Sequence, residues 1–477
     1  MPEDAQGNAA SVRDRDQLGA QGIGELRLKA LHIAEAGLAA CDGGAATRER
    51  VRLTPDGVMI DGVLHRLAAG QRLLVLGGGK ATLPVAQALE EVLGDRIDGG
   101  AIVLKRGQEA ELEGLEVMTS DHPFPSPDSL AAAGKIAGLA ADAREGDLVI
   151  TCFTGGRSAL LSLPPETVTF DEKRQLHELL IASGMPITAI NTVRKHVSGI
   201  KGGRLAELIA PARIVNLTIS DVAGDPQDVL ADLTTQDTST PEQALSILRR
   251  FDLIDEVPGS IISHLGSPAA LAPDLGGIEI STAMLVNGES ACRAMADAAA
   301  AIGLKPLLVG TAVEGEAVET GKAIARLARA EPAGTALIGC GGESTVSLGR
   351  SEPGLGGPNQ EAAIAASAEL EGRQVAAVFL DTDGSDGSTR FAGAICDGRT
   401  AERARELGLD LEAALASHAA SEPLRALEDL IDTGTTGTNV NDLFVAVTGP
   451  PRALRTDERR HSSSSGLPRP CLRPRKI

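Results

Sequence analysis

Three short runs in the sequence set glycines beside groups that can handle an anion. In Leu76-Gly77-Gly78-Gly79-Lys80-Ala81 a lysine follows three glycines, and Thr154-Gly155-Gly156-Arg157-Ser158 and Gly341-Gly342-Glu343-Ser344-Thr345 repeat the scheme. Glycine lets backbone N–H groups approach phosphate or carboxylate oxygens, and a helix starting at such a turn adds a favourable dipole. A lysine opening a helix opposes that dipole, so Lys80 is expected to face an anion. The turn fits neither common nucleotide fingerprint. Leu74 and Ala81 stand where a Walker loop needs Gly and Ser or Thr, and Thr82 stands at the third glycine of a dinucleotide turn. Further on, Asn191-Thr192-Val193-Arg194-Lys195-His196 and Lys201-Gly202-Gly203-Arg204 place four cations within fourteen residues. They make either a solvated basic helix face or a clamp for carboxylate and phosphate oxygens, a task to which Arg brings bidentate contacts.

Acidic groups complete the inventory. Asp221, in Ser220-Asp221-Val222-Ala223-Gly224-Asp225-Pro226, follows an apolar run, where it can accept a hydroxyl proton or hold Mg²⁺. Asp225 reads more simply as turn chemistry. The loop Asp381-Thr382-Asp383-Gly384-Ser385-Asp386-Gly387 looks like a calcium loop but has Ala392 at the twelfth position, so a hard cation or a ribose at a strand end suits it better. The polar turn Thr435-Thr436-Gly437-Thr438-Asn439-Val440-Asn441-Asp442 offers hydroxyls and amides to phosphate or sugar, or is a plain loop.

The elements that must position these groups are short apolar runs ending in glycine or polar turns: 72–76, 101–104, 148–152, 214–219 and 260–262. Helical patterns at 24–38, 82–93, 173–183 and 241–252 alternate with them, and a strand pair is expected within 51–67. Such alternation predicts an α/β fold with a doubly wound, mostly parallel sheet, whose ligands sit at strand C-terminal ends. A second α/β series starts near 283–286, with strands at 307–309, 335–338, 374–380 and 443–447 and helices at 316–330 and 359–370. The division expected is a disordered leader at 1–20, an N-terminal α/β domain at 21–275, a smaller C-terminal α/β domain at 276–449 and a disordered basic tail at 450–477.

Composition narrows the function. The 477 residues contain no Trp, no Tyr and seven Phe, so an adenine ring would lie against aliphatic walls. A net charge of −20 argues against nucleic acid as a partner while permitting a local cationic site. The six cysteines are scattered with no C-x-x-C, which suits a reducing, cytoplasmic setting. No run approaches the roughly 20 apolar residues of a membrane span, and the first residues lack the apolar core of a secretory signal.

Taken in order, these motifs resemble the glycerate 2-kinase family, whose C-terminal half is the MOFRL domain. The matching pieces are Gly77–Ala81, His122-Pro123, Gly155-Gly156-x-Ser158-Ala159-Leu160, Asn-Thr-Val-Arg-Lys-His with Lys-Gly-Gly-Arg-Leu, Ser220–Pro226, Gly341–Thr345, Gly356-Gly357-x-Asn359-Gln360-Glu361, Thr382–Gly387 and Gly434–Asp442. The resemblance covers residues 24 to 449. It implies a Rossmann-like N-terminal domain, a MOFRL-type domain, a cleft between them, and transfer of the ATP γ-phosphoryl to the 2-hydroxyl of D-glycerate. Lys80 and Asp221 become the catalytic pair. Gly78, Gly79, Gly155, Gly156, Arg157, Ser158, Arg194, Lys195 and Lys201 become substrate or phosphate ligands. Glu343, Asn359, Asp386, Thr438 and Asn439 are placed at the nucleotide, and Asp221 and Asp386 at Mg²⁺. The chain departs from the family with Pro358 where an Arg is usual and Arg157 where Gly or Ser is usual. Either Arg157 substitutes electrostatically for the missing cation, or the two changes mark a subfamily with an altered acceptor. The expected partners are glycerate and ATP, and the expected assembly is a monomer or a homodimer. An NAD(P)H-dependent hydroxypyruvate reductase, a silent sugar-acid binder and a kinase of another 2-hydroxy acid are the competing readings.

Overall fold

The computed structural model describes residues 11–108, 110–222, 224, 232–342, 344–347 and 354–451. A three-stranded meander comes first, β1 (Val51–Thr54), β2 (Gly57–Ile60) and β3 (Val63–Arg66), where the sequence promised a strand pair. The main sheet follows: β4 (Leu73–Gly78), β5 (Gly99–Lys105), β6 (Glu116–Ser120), β7 (Leu148–Phe153), β8 (Arg213–Ile219) and β9 (Ile280–Val286). All neighbours are parallel, in the spatial order β6-β5-β4-β7-β8-β9. Read from the chain, that is the dinucleotide-fold order 3-2-1-4-5-6.

Continuous apolar strands make such a sheet because both faces are covered. Along β4, Leu73 and Val75 enter one core with Val85 and Leu89 of the helix Thr82–Leu93. Leu74 and Leu76 enter the other, with Ala133 and Ile136 of the helix Pro127–Ala141. The period of two divides the strand between the layers. Capping boxes start several helices, including Phe170–Ala182 (Thr169 with Glu172) and Pro241–Arg250 (Thr240 with Gln243).

The second sheet holds β10 (Lys305–Val313), β11 (Thr335–Gly341), β12 (Val375–Asp381), β13 (Gly393–Asp397), β14 (Leu430–Ile431) and β15 (Asp442–Thr448). Its order is β10-β11-β15-β12-β13-β14, and only β10 and β11 run parallel. The helices Ala317–Ala330 and Pro358–Leu370 cover one face through Ile324, Ala328, Ala362 and Ile364. The fold is α/β, as the sequence suggested, with two six-stranded sheets beside the small meander.

Four local expectations change. Residues 11–20 are not a structureless leader: Val12 and Leu18 are buried and Arg15–Ala20 is helical. Residues 260–262 lie inside the helix Gly259–Leu265, where Ile261 and Leu265, four apart, share a buried side. The run 283–286 does not open the second sheet but belongs to β9, the edge of the first. In the other direction, the helix Gly24–Ala40 is carried by the second sheet: Ile23 N–H donates to Asp397 and Arg27 reaches Asp429. The first sheet therefore takes its edge strand from beyond residue 276, and the second sheet takes a covering helix from the N-terminal segment. The leader's first ten residues and the basic tail from 452 lie outside the described residues.

Candidate active site at the switch point

In the 3-2-1-4-5-6 order the chain reverses between β4 and β7, so the loops after these strands diverge and open a crevice. The glycine turns sit there. Gly79 has φ +142° and a Cβ on it would lie 2.1 Å from Thr154 Oγ1, so only glycine fits. At Gly78 a Cβ would press to 2.8 Å on Leu161. Thr154 ties the two loops: its Oγ1 accepts from Ala81 N–H (3.1 Å), and Lys80 N–H donates to Gly155 O (2.9 Å). Gly156, at φ +84°, leaves its would-be Cβ site 3.3 Å from Lys80 Cγ and 3.2 Å from His122. At Gly155 the corresponding position is 2.3 Å from Asp221 Oδ2 and 3.3 Å from Asn439 Nδ2. The second glycine turn thus separates Lys80 from Asp221 by the thickness of a backbone.

Asp221 leaves the end of β8, and the side-chain amide of Asn441, itself at φ +62°, holds its carbonyl from the second sheet. Desolvation pushes the Asp221 carboxyl above its ordinary range, opposed by Arg157, its own backbone N–H and Lys80. Lys80 Nζ lies 3.1 Å from Asp383 Oδ2, on the loop after β12, so the site spans both sheets. Asp383 is itself fixed by the N–H and hydroxyl of Ser385. His122 is pushed down to about 4, by desolvation first and then by Lys80 and Lys105, and is a neutral imidazole at pH 7.

Arg157 Nε meets Asp232 Oδ1 at 2.8 Å, and Lys201 Nζ meets Asp232 Oδ2 at 2.7 Å. Burial alone would raise Asp232, but Arg157 and Lys201 outweigh it and hold the carboxyl down at about 2. Ser158, Lys173, His177, Arg194 and Lys201 line a small adjoining pocket. The basic stretch is therefore not a solvated face. Lys195 turns away from this pocket and is buried against Asp237 at 2.7 Å, beside His196. Its expected role as a substrate ligand gives way to a structural ion pair.

The residues expected at the nucleotide separate. Asp386 is buried and spends both oxygens on the start of the helix Pro358–Leu370: Oδ1 accepts from Asn359 N–H and Nδ2, and Oδ2 from Gln360 N–H and Nε2. It is a helix cap and not a free metal ligand. Asn359 also donates to Asp442 at 2.6 Å, and the Thr438 hydroxyl to Cys41 O at 2.5 Å, both inside the scaffold. Only Asn439 reaches the glycine turn. Glu343 lies outside the described residues. Pro358 occupies the first turn of its helix, where a missing N–H costs nothing.

Between the sheets a cavity of about 240 Å³ is lined by Ser220, Val222, Gly288, Thr311, Gly341 and Asn441, among others. Sequence reasoning named Gly341's turn but missed Thr311 and the start of the helix Gly288–Ala301, because nothing local marks them. It also passed over Asp383, although its loop stood out; contact with Lys80 across 303 positions has no local signature. No three metal-ligating side chains gather among the described residues. Mg²⁺ is ordinarily held by one or two carboxylates and the nucleotide's own phosphates, and among the described residues the Asp221 carboxylate could serve in that way.

Comparison with known proteins agrees with this architecture. Residues 29–266 match the model of a domain of unknown function, DUF4147, and residues 336–442 match the MOFRL family. A glycerate 2-kinase of Pyrococcus horikoshii is 34% identical over 438 residues, 89% of this chain and 97% of that protein. A protein of Agrobacterium vitis, provisionally named a hydroxypyruvate reductase, is 37% identical over 79% of this chain and 87% of its own. The crystal structure of a glycerate kinase from Thermotoga maritima superposes with a TM-score of 0.75 at 32% identity, covering 87% of this chain and 97% of that one. With the paired family matches, full-length likeness and a shared fold, this chain belongs to the glycerate 2-kinase family.

Proposed function

We propose that the protein is a D-glycerate 2-kinase that moves the γ-phosphoryl of ATP to the 2-hydroxyl, giving 2-phospho-D-glycerate and ADP. The observation that carries this reading is the placement of Lys80 and Asp221 on either side of the Gly155–Gly156 turn, at the switch point and facing the second sheet. Phosphoryl transfer asks mainly for alignment and charge neutralisation. Asp221, less acidic than a solvated carboxylate, orients the acceptor hydroxyl and takes its proton. Lys80 stabilises charge on the transferring group. Asp383 holds the Lys80 ammonium in place across the cleft until phosphate oxygens compete for it. The cavity between the sheets suits the nucleoside, with Val222 and Val440 as the aliphatic walls that a chain without Trp or Tyr must use. Mg²⁺ bound with the nucleotide would contact Asp221 and neutralise phosphate charge.

The reductase reading draws on the Agrobacterium relative and on the dinucleotide-fold strand order. Against it, Lys80 and Thr82 fill the turn that a dinucleotide pyrophosphate would need free of side chains. The five described cysteines are buried, and no helix among the described residues is long and apolar enough to cross a membrane. The test is a two-arm assay: Mg²⁺-dependent ADP release with glycerate, tartronate or erythronate, and NADH oxidation with hydroxypyruvate. We expect ADP release with glycerate and no NADH oxidation; the reverse pattern would overturn the proposal.

A further inference from the structure

The pocket beside the catalytic pair has too many cations for its anions. Lys173, on the helix Phe170–Ala182, extends toward Arg194 and Lys201 across the space behind Ser158. Among the described residues its side-chain ammonium donates one hydrogen bond, to the backbone carbonyl of Val197. Arg194 has no ion pair there, and its Nε is buried without a hydrogen-bond partner. Among the described residues the carboxylate paired there is Asp232, already shared by Lys201 and Arg157. His177 adds no countercharge: its Nε2 faces Pro123 O at 3.0 Å and desolvation keeps the ring neutral. An unpaired buried charge is costly, so such a cluster persists where a ligand supplies the opposite charge. The open space is about 20 Å³, room for one oxygen-sized group.

We propose that Lys173, with Arg194 and Lys201, forms the subsite for the carboxylate of the acid substrate, with Ser158 at its rim. Lys173 is a binding and specificity residue that the sequence motifs did not contain. The geometry favours a carboxylate that enters beside Ser158, on the same turn whose Gly155 packs against Asp221, where the acid's hydroxyl would lie. The proposal rests on the kinase reading.

The subsite has a pH signature. The Lys173 amine is pushed down to about 7, by desolvation first and then by Lys201, Arg194 and Arg204. The Lys201 amine is pushed down to about 8, with Asp232 opposing the shift. In the free enzyme Lys173 therefore loses its charge as pH rises through 7, and a bound carboxylate favours the charged form. Glycerate should bind more weakly above that pH, and its KM should rise.

The experiment compares wild type, Lys173→Met and Lys173→Arg. Steady-state kinetics come first, then thermal shifts with D-glycerate alone at pH 6 and pH 9. A lost charge-assisted contact predicts that Lys173→Met raises the glycerate KM by at least ~10-fold, with the ATP KM within about 2-fold. Lys173→Arg, whose guanidinium stays charged, should restore the KM to within about 3-fold and flatten its rise above pH 7. Wild type should show a larger glycerate-induced Tm shift at pH 6 than at pH 9. An unchanged glycerate KM in Lys173→Met, or equal rises for both substrates, would overturn the subsite. If wild type failed to phosphorylate glycerate, the kinase reading would fall instead. The thermal arm would then still decide the subsite: a glycerate shift abolished by Lys173→Met supports it, and no shift rejects it.

Discussion

Two buried charge clusters in this molecule look alike in composition and differ in balance. Behind the second sheet, Arg27 is fully buried between Asp429 (2.6 Å) and Asp397 (3.4 Å), and Arg403 also reaches Asp429 at 3.1 Å. Two cations face two carboxylates, and their role is to lock the helix Gly24–Ala40 onto β13 and the segment before β14. Behind the Gly155 turn, Lys173, Arg194 and Lys201 gather in one pocket, and the carboxylate that meets them among the described residues is Asp232, already shared by Lys201 and Arg157. A balanced cluster completes a fold by itself; an unbalanced one is completed by what it binds. Lys195 with Asp237 and His196 falls on the balanced side, although its neighbour Arg194 in the same helix falls on the other.

The largest effect should come from breaking the balanced cluster. Arg27→Met leaves buried Asp397 with backbone donors and Asp429 with Arg403, one cation short, and should lower unfolding free energy by about 3–5 kcal/mol in urea titration. The KM values should stay within about 2-fold of wild type. Unchanged stability would erase the distinction between the clusters. Next are the catalytic substitutions: Asp221→Asn and Lys80→Ala should each reduce kcat by at least ~10², with circular dichroism unchanged. Near-normal turnover in either would remove that residue from the chemistry.

A smaller effect sharpens the contrast from the unbalanced side. Arg157 lowers the pKa of Asp221, so Arg157→Ala should raise it. If Asp221 must be ionised to act, the acid limb of the kcat/KM profile should move to higher pH, with about a tenfold loss at pH 6 and less at pH 8. A profile superimposable on wild type would also end the idea that Arg157 replaces the arginine missing at Pro358.

Much of the architecture was legible because it rests on local pattern. Glycines ending apolar strands mark the crevice, and runs such as 148–152 can only be buried strands. What was not legible is pairing across distance. β9 and the helix Gly24–Ala40 joined sheets that their sequence neighbours do not belong to, and a period of two or 3.6 says nothing about which sheet. Asp386 looked like a ligand because a carboxylate in a Gly-rich loop can hold a cation or cap a helix; only the position of Asn359 and Gln360 decides. The same ambiguity hid Asp383 and Lys173. Each is an ordinary polar residue in its own segment and acquires meaning from a partner far along the chain.

The most direct measurement is the ³¹P and ¹³C NMR spectrum of the product formed from ATP, Mg²⁺ and D-glycerate by the wild-type protein. Asp221 and Lys80 flanking the acceptor, with the carboxylate held beside Arg194, predict phosphate on the 2-hydroxyl and 2-phospho-D-glycerate as the product. Phosphate on the 3-hydroxyl, or no phosphorylated product, would contradict the assignment.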